Sequence, residues 1–340
     1  MKERTKISVA VITYNQEKTL AQTLDSILMQ KGDFDLELVI GEDCSTDGTL
    51  AICQEYVRKV ESGEWRDKSI KLLSGPKNLG ITANYFRTLQ ACTGEFIGDI
   101  AGDDYYCDDH ALEKQLRYMQ AHPEVGVMGA NGYSFFVKRN EKIEGLNPVV
   151  KAADSKVKEF YFSSSYQGGV YFKPVGTMLR RSLLRYIDFD EIIRRKLPVE
   201  DYPMQAIWSR YTKFASLPDL MVVYRIYEES STFMPLDNPK FLSYHKGLMN
   251  IRRYLNELFP NDACFSEEQL LEYEFYKEFL LYLHRFDYKR AKLLIDNAPK
   301  EVQNGVKVRQ AKRFTKSRVH FLFAYIIKEY KYKQELKRNT

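Results

Sequence analysis

The chain has 340 residues, of which 44% are hydrophobic and 29% are charged. That is the composition of a folded globular protein, and it excludes a disordered chain, a collagen and a small disulfide-stapled scaffold. The net charge of +5 is too small for a general nucleic-acid binder, although residues 306–340 carry eleven Lys or Arg against two Glu. The length predicts about two domains, or one large α/β domain with an appendage.

The cysteines and the lengths of the apolar runs indicate where in the cell the protein is located. The five cysteines include no C-x-x-C pair, which favours reducing surroundings. Polar Thr13 and Asn15 interrupt the apolar core that a signal peptide needs. No apolar run approaches the roughly 18–20 residues that cross a bilayer, and the longest, 319–327, contains His320. We therefore expect a cytoplasmic protein.

Strand-like and helix-like segments alternate along the first third of the chain. The apolar, β-branched run 7–13 predicts a strand, and Asn15 is a candidate cap for a helix that has Leu20, Leu24 and Ile27 on one face. Further strands are predicted at 36–41, 70–73 and 95–100, and further helices at 50–60, 81–92 and 109–121. This alternation indicates βαβ units with right-handed crossovers and a mostly parallel sheet.

The pattern changes after residue 121. Segments 125–128 and 134–137 predict two more strands, and 140–170 reads as a flexible loop. From about residue 239 onward the chain has helical, aromatic patterning and no strand signal. We expect an α/β domain over residues 1–235 and a helical region with a basic amphipathic tail over 236–340.

Polar clusters follow three of the predicted strands. They are Thr13-Tyr14-Asn15, Glu42-Asp43 and Asp103-Asp104. Parallel strands present their carboxyl ends at one edge of the sheet, and open α/β sheets bind ligands at that edge. We therefore expect the three clusters to converge on one site.

Asp103-Asp104 suggests a cation site most directly. Adjacent carboxylates repel each other unless a cation or a proton lies between them. Mg²⁺ and Mn²⁺ take carboxylate oxygens together with substrate phosphate oxygens, and Gly102 would allow a ligand to approach the backbone. The alternative is a solvated turn with a helix cap near Asp108 or Asp109.

Three other clusters are less specific. Glu42-Asp43 could accept hydrogen bonds from a ribose hydroxyl or a base N–H, or the segment could cap the next helix through residues 45–47. Residues 76–80 form a Pro/Asn/Gly cluster that is typical of a turn. Glu200-Asp201 could divide acid and base roles, or could be the acids of a helix N-terminus.

Several other chemistries lack a signature. The five histidines show no zinc-ligand spacing, and the chain contains no G-x-S-x-G, P-loop or G-x-G-x-x-G motif. This argues against hydrolases of the nucleophile-elbow type, P-loop NTPases and dinucleotide dehydrogenases.

Taken in chain order, these clusters resemble the motifs of the family 2 glycosyltransferases, inverting enzymes that have the GT-A fold. The matching segments are SVAVITYNQE at 8–17, S-I-L-x-Q at 26–30, E-D-x-S-x-D-G at 42–48, N-x-G-x-x-x-N at 78–84, GEFI at 94–97, DDY at 103–105, ED at 200–201 and YR at 224–225. The similarity covers about residues 5–235. It implies an α/β fold of GT-A type, with a mostly parallel central sheet flanked by helices, to which the helical pattern of residues 236–340 adds a C-terminal helical appendage.

The resemblance also implies roles for individual residues in sugar transfer from a nucleotide-diphosphate donor, usually a UDP-sugar. Asp201 would be the general base, with Glu200 beside it. The residues implied for the nucleotide-sugar are Thr13, Tyr14, Asn15, Glu17, Glu42, Asp43, Lys77, Asn78, Asp103 and Arg225. Of these, Arg225 lies in a Tyr-Arg element where it could instead contact the acceptor.

The acidic motif departs from the commonest pattern of the family in one position. Asp103 and Asp104 would hold Mg²⁺ or Mn²⁺, but Ala101 stands where many members have a further acid. We expect Asp104 to bind the ion and Asp103 to contact the ribose or to support the ion's ligands.

The basic tail and the acceptor leave more than one interpretation open. Residues 306–340 could form an amphipathic helix on anionic lipid, or a helix packed on the protein with a solvated basic face. Lipid-linked acceptors are common in the family, which favours peripheral contact with the inner face of the cell membrane.

The leading hypothesis is a metal-dependent inverting glycosyltransferase that acts on a saccharide or lipid-linked acceptor in cell-surface polysaccharide synthesis. The alternatives are a nucleotidyltransferase, a non-catalytic sugar-nucleotide-binding or scaffold protein, and a nucleic-acid binder acting through the tail, although we expect no nucleic-acid partner.

Overall fold

The computed structural model describes residues 4–65, 67–150, 172–227, 236–262 and 265–339. The chain divides into two compact units, Met1–Arg194 with Val199–Ile226, and Arg195–Pro198 with Tyr227–Thr340. The predicted domain boundary at 235/236 adjoins residues 228–235, which lie outside the described residues, and it stays a prediction. Most of the predicted loop 140–170 also lies outside them.

The first unit is built on one sheet. Its strands are β1 (Thr5–Thr13), β2 (Phe34–Glu42), β3 (Lys68–Leu73), β4 (Phe96–Ala101), β5 (Tyr105–Tyr106), β6 (Val125–Phe136), β7 (Glu141–Glu144), β8 (Thr177–Arg180) and β9 (Lys213–Ile226). Their order is β3-β2-β1-β4-β8-β6-β9-β5, and β7 pairs with β6. Strands β1 to β4 are parallel, β8 is antiparallel to β4 and β6, and β6 is parallel to β9. The predicted mostly parallel sheet is confirmed in this part of the chain.

Helices cover this sheet because their apolar residues recur at helical spacing. They are α1 (Leu20–Leu28), α2 (Thr49–Glu61), α3 (Ile81–Ala91), α4 (Ala111–Ala121), α5 (Phe189–Arg194) and α6 (Asp201–Trp208). On α1, Leu20, Leu24 and Ile27 are fully buried in the core. Successive residues of β1 are also buried, as expected of a parallel strand covered on both faces.

Two local predictions are wrong. The segments 125–128 and 134–137 are one continuous strand, β6, rather than two. A Cβ at Gly132 would collide with the Val222 backbone, so this glycine permits close approach of β9 at an irregular register instead of breaking the strand. The other correction concerns Asn15, which does not cap α1, since the cap position is Thr19.

Apart from Arg195–Pro198, the described part of the second unit consists of helices and their connections, as the sequence pattern predicted from about residue 239 onward. Its helices are α7 (Phe241–Leu258), α8 (Glu267–His284), α9 (Tyr288–Asp296), α10 (Val306–Phe314) and α11 (Arg318–Asn339). Helices α8 to α11 pack around a core that includes Phe279 and Phe321. Ser266 and Gln269 form a capping box that starts α8. Within the described residues, the chain contains no helix with the length and apolarity that a membrane span requires.

The sheet register brings the predicted site segments to one edge. Thr13 is opposite Glu42, and Ile12 is opposite Ala101. Beyond the strands the backbone continues this pairing, because the Asp43 amide donates to the Thr13 carbonyl at 3.1 Å and the Gly102 amide donates to the Ile12 carbonyl at 2.9 Å. The loops after β1, β2 and β4 therefore start side by side.

Candidate active site

The loop after β1 is tied to the loop after β2 by side-chain acceptors. Asn15 has a positive φ of 53°, which asparagine tolerates better than most residues. Its Oδ1 accepts a hydrogen bond from the Thr46 amide at 2.8 Å. Glu17 Oε2 accepts from the Gly48 amide at 2.7 Å. Asn15 and Glu17 therefore shape both loops, while Tyr14 between them leaves 47% of its surface exposed.

Both members of the Glu42-Asp43 pair are buried and bind backbone amides. Glu42 accepts from the amides of Cys44 and Ser45 at 3.2 and 2.6 Å. It is fully buried, so it could contact a ligand only if its loop moved.

Asp43 reaches the loop that follows β3. Its two oxygens accept from the amides of Leu79 and Gly80 at 2.8 and 3.0 Å, and its carbonyl accepts from Asn78 Nδ2 at 2.9 Å. Each Asp43 oxygen retains a lone pair that a ligand could use. Lys77 is exposed on the same loop.

Asp103 and Asp104 differ in their surroundings. Asp104 is 2% exposed, and its Oδ1 accepts the Arg225 amide at 2.7 Å. Asp103 is partly exposed, and its carbonyl accepts from the Arg225 guanidinium, which also donates to Gln22. Burial raises the pKa of both carboxyls, and the neighbouring charge of Asp103 raises the pKa of Asp104 further. This pair is therefore anchored to β9 by Arg225 and costs free energy when it is ionised.

Two buried oxygens beside Asp103 lack a hydrogen-bond partner among the described residues. They are Thr13 Oγ1 and Gln16 Oε1. Both adjoin Gly102, where a Cβ would lie 2.8 Å from the first and 2.5 Å from the second. Gln16 also forms a side-chain hydrogen bond that lowers the pKa of Asp103. Gly102 therefore keeps open a space lined by oxygen atoms.

These oxygens fit a hard divalent cation, although the protein alone supplies few ligands. The described residues contain no group of three His, Cys, Asp or Glu that could hold a metal ion. A carboxylate, an amide oxygen and a hydroxyl are nevertheless the oxygen ligands that Mg²⁺ accepts, and such sites take their remaining ligands from water and substrate phosphate.

Glu200 and Asp201 lie at the start of α6. Asp201 is the first residue of the helix, and its Oδ1 accepts the Tyr202 amide at 2.7 Å. Burial raises the pKa of Glu200, and the charges of Asp201 and Asp99 raise it further. Asp99 is thus a third carboxyl within electrostatic range, and the sequence analysis missed it. The sequence feature that could have identified Asp99 is the presence of an acid inside the otherwise apolar strand segment FIGDIA.

The sequence analysis also missed an aromatic surface next to the acidic pair. Tyr105 of β5 and Tyr133 of β6 are both opposite Val223 of β9. Lys142 Nζ lies 5.8 and 5.1 Å from the centroids of these two rings, and the Arg225 guanidinium lies 4.8 Å from that of Tyr105. We call Tyr105, Tyr133, Lys142 and Arg225 the tyrosine platform. A sheet register was needed to find it, since its members are far apart along the chain.

Hydrogen bonds and charge interactions connect most of the predicted site residues. One bonded network contains Thr13, Asn15, Gln16, Glu17, Glu42, Asp43 and Asn78, and Gln16 joins it to Asp103, Asp104 and Arg225. Asp201 and Glu200 interact with Asp99 through their charges.

Residues 8–187 match the family model described as Glycosyl transferase family 2. The chain belongs to this family. The resemblance noted in the sequence is therefore confirmed. The chain is 29% identical over 230 residues to the putative glycosyltransferase EpsE of Bacillus subtilis, which covers 67% of this chain and 75% of that protein. It is also 34% identical over 121 residues to an uncharacterized protein of Mycobacterium tuberculosis, but that match covers 36% of this chain and spans only about a third of that relative.

Solved structures confirm the GT-A fold. Staphylococcus aureus TarS 1-349 in complex with UDP-GlcNAc superposes with a TM-score of 0.51 at 20% identity, covering 92% of this chain and 80% of that one. The mannosyltransferase PcManGT of Pyrobaculum calidifontis, in complex with GDP-Man and Mn²⁺, superposes with a TM-score of 0.51 at 16% identity, covering 96% and 87%.

Proposed function

We propose that this glycosyltransferase moves a sugar, with inversion, from a UDP-linked donor to a hydroxyl of a saccharide or lipid-linked acceptor. The observation that carries the proposal is the convergence at one sheet edge of the loops after β1, β2 and β4, which bring the acidic pair and the β1 loop together. A structural neighbour bound to UDP-GlcNAc supports a uridine nucleotide. A neighbour bound to GDP-Man makes a guanosine donor the alternative to test.

The donor would lie against the loops after β1, β2 and β3. Tyr14 offers an exposed ring for stacking, and the free lone pairs of Asp43 can accept from a base N–H or a ribose hydroxyl. Lys77 and Asn78 would approach the base. Asn15, Glu17 and Glu42 would act indirectly, because their side chains hold the loops in place.

Asp103 is the better candidate than Asp104 for direct contact with Mg²⁺ or Mn²⁺. Asp104 is almost completely buried and already accepts the Arg225 amide, whereas Asp103 is partly exposed beside the free oxygens of Gln16 and Thr13. This assignment reverses the preference drawn from the sequence. A divalent cation held there would stabilise the negative charge that grows on the departing diphosphate.

Asp201 would accept the proton of the acceptor hydroxyl as the reaction proceeds. The acceptor oxygen forms a bond to the anomeric carbon while the bond from that carbon to the β-phosphate oxygen breaks. The nucleoside diphosphate leaves with the bonding electrons, and the hydroxyl proton passes to Asp201. Attack opposite the leaving group inverts the configuration, and a positioned base contributes about 10²–10⁴-fold.

The tyrosine platform is our candidate for the acceptor surface. Tyrosine rings can stack on sugar rings, and Lys142 and Arg225 would favour a phosphate-bearing acceptor. A Staphylococcus aureus relative, 28% identical over 182 residues, is named a poly(ribitol-phosphate) beta-N-acetylglucosaminyltransferase. An acceptor of this kind would place the enzyme in cell-surface polysaccharide synthesis.

The tail would contact a membrane through one face of α11. Phe321 and Ala324 are buried in the core of the second unit. Val319, Phe323, Ile326 and Tyr330 recur at helical spacing and are 52–66% exposed. The exposed basic residues around them are Lys316, Arg318, Lys331 and Lys333. An apolar stripe with a basic border fits an anionic lipid surface. Because Phe321 and Ala324 are buried on the other side of the helix, α11 would pack on the protein with one face and contact lipid with the opposite face.

The membrane proposal is tested by vesicle sedimentation of the full chain. We expect binding to phosphatidylglycerol/phosphatidylcholine vesicles and loss of that binding in the double variant Phe323→Glu/Ile326→Glu. Leu293→Glu is the matched control, because Leu293 is a 63% exposed apolar residue of α9. Equal binding by both variants would refute a lipid role for α11.

The transferase proposal is tested by nucleotide release from a panel of UDP- and GDP-sugars. UDP with Mn²⁺ should raise the melting temperature more than Mn²⁺ alone. Asp201→Asn should lower turnover by about 10²–10⁴-fold and keep this stabilisation. Asp190→Asn, which changes an exposed first-turn acid of α5, is the control. Nucleotide binding without turnover of any donor would instead support a non-catalytic sugar-nucleotide-binding protein.

A further inference from the structure

The second unit contains a surface cavity of about 560 Å³ that has no role in the proposed reaction. It lies between α9, α10 and the links that follow these two helices. Ile295 and Thr315 contribute buried side chains to its lining, and the other lining residues are exposed. The volume is within the range of small-molecule sites, so the cavity has room for an organic group as well as for a simple ion.

The charged residues around this cavity are mainly cationic. Its basic residues are Lys292, Lys312, Arg313 and Lys316, and Asp296 is the one acid among the lining residues that the structure describes. This acid is already engaged, because its two oxygens accept hydrogen bonds from Lys292 Nζ at 2.9 and 3.0 Å. The other three cations form no ion pair with any residue that the structure describes, so three positive charges around the cavity are not neutralised.

The dipole of α10 explains only part of this charge. Lys312 and Arg313 are in the last turn of α10, where cations complement the carbonyl end of a helix. Lys292 belongs to α9 and Lys316 to the link before α11, so neither lies on that helix. Lys312 Nζ also donates to the carbonyl of Gln303, a further lining residue, at 3.3 Å. The fold therefore gathers cations from three separate segments, and a bound anion would relieve their mutual repulsion.

We propose that this cavity is a binding site for a phosphomonoester, carried by a soluble organic molecule or by a lipid headgroup. A phosphomonoester has a charge of about −1.5 to −2 at neutral pH and three acceptor oxygens, so it matches three cations better than a carboxylate does. The Arg313 guanidinium can hold two phosphate oxygens at once, and Lys312 and Lys316 act as point charges beside it. The site requires neither sugar transfer nor contact between α11 and lipid, so its test does not depend on the proposed function.

NMR titration of the full chain with glycerol 3-phosphate at constant ionic strength tests the site in solution. In protein labelled with ¹⁵N-threonine, we expect a saturable shift of the Thr315 amide resonance, which is assigned by its loss in Thr315→Ser. Lys312→Gln/Arg313→Gln should raise the dissociation constant by about tenfold or more, because it removes two of the three unpaired cations. The matched control is Lys246→Gln/Lys300→Gln, which removes the same charge from exposed residues of the second unit outside the cavity and should leave binding unchanged.

Removal of the acid should have the opposite effect. Asp296→Asn takes away the carboxylate that pairs with Lys292 and makes this fourth cation available to the ligand. We expect glycerol 3-phosphate to bind about threefold more tightly, since exposed ion pairs of this kind are weak. Glu301→Gln neutralises an exposed acid outside the cavity and should change the affinity little. A gain in one variant and a loss in the other cannot both come from partial unfolding.

Vesicle sedimentation identifies the source of the phosphate. A headgroup site predicts tighter binding to vesicles with phosphatidic acid than to phosphatidylglycerol vesicles of equal surface charge, and loss of this preference in Lys312→Gln/Arg313→Gln. A site for soluble phosphomonoesters predicts the Thr315 shift without that preference. The inference is overturned if neither the shift nor the preference is observed, or if Lys312→Gln/Arg313→Gln behaves like Lys246→Gln/Lys300→Gln in both assays.

Discussion

The acidic pairs that follow β2 and β4 look alike along the chain but have opposite surroundings. In Glu42-Asp43, each carboxylate accepts two backbone amides, and these hydrogen bonds fix two loops. In Asp103-Asp104, burial disfavours the charged forms, and the Asp104 side chain accepts one backbone amide, that of Arg225. We infer that Glu42-Asp43 holds its loops in place, because each of its carboxylates already accepts two hydrogen bonds from the backbone. Asp103-Asp104 is suited to bind a cation, because burial makes its negative charge unfavourable in the protein alone.

The largest expected effect concerns the second pair. Asp103→Asn should lower turnover by at least about 10²-fold and abolish the extra stabilisation by UDP with Mn²⁺, because the variant loses a charged ligand for the ion. Its melting temperature without ligands should not fall, since a costly carboxylate is removed. Nucleotide release and thermal melts with and without Mn²⁺ measure both effects. Full turnover in this variant would show that Asp103 does not contact the ion.

The first pair should respond in the opposite way. Asp43→Asn places an NH₂ group against one of two amide donors, and we expect a loss of about 1–3 kcal/mol in the free energy of unfolding. Glu42→Gln should cost a similar amount for the same reason. Urea unfolding of both variants beside Asp103→Asn makes the comparison direct. If Asp103→Asn is the least stable of the three, our distinction between the pairs is wrong.

The fold was accessible from the sequence, but the difference between the two pairs was not. Alternating strand and helix patterns predicted β1 to β4 and the edge at which their loops meet, because periodicity is a local property. The amides that bind Asp43 come from Leu79 and Gly80, about 36 residues away along the chain. Only the folded backbone brings these amides to the Asp43 carboxylate, so no local sequence pattern could predict which acidic pair would accept several backbone hydrogen bonds.

Two other features of the fold and the site were not predicted from the sequence. One involves a glycine, and the other involves a buried aspartate. The sequence pattern predicted two strands on either side of Gly132, but they are one strand, and this glycine allows β6 and β9 to pass closely. Asp99 was interpreted as part of an apolar strand, and its pairing with Tyr85 of α3 depends on how that helix packs on the sheet. Both residues depart from the local pattern, and both are explained by a tertiary contact.

The smallest expected effect is a pH dependence of stability, and it extends the comparison to Asp99. Because the pKa of Asp99 is raised to about 7 in the folded protein, the folded state binds more protons at this group than the unfolded state from about pH 4 to about pH 8. Stability should therefore fall as the pH rises toward and through 7, and Asp99 alone should contribute a loss of about 1–2 kcal/mol between pH 6 and pH 8. Asp99→Asn keeps an oxygen for Tyr85 and has no proton to lose, so its stability should decline less over the same interval. Urea unfolding of both proteins at the two pH values measures the difference. Parallel declines would mean that Asp99 does not titrate in this range, and Asp99 would then be a structural acid like Glu42 and Asp43.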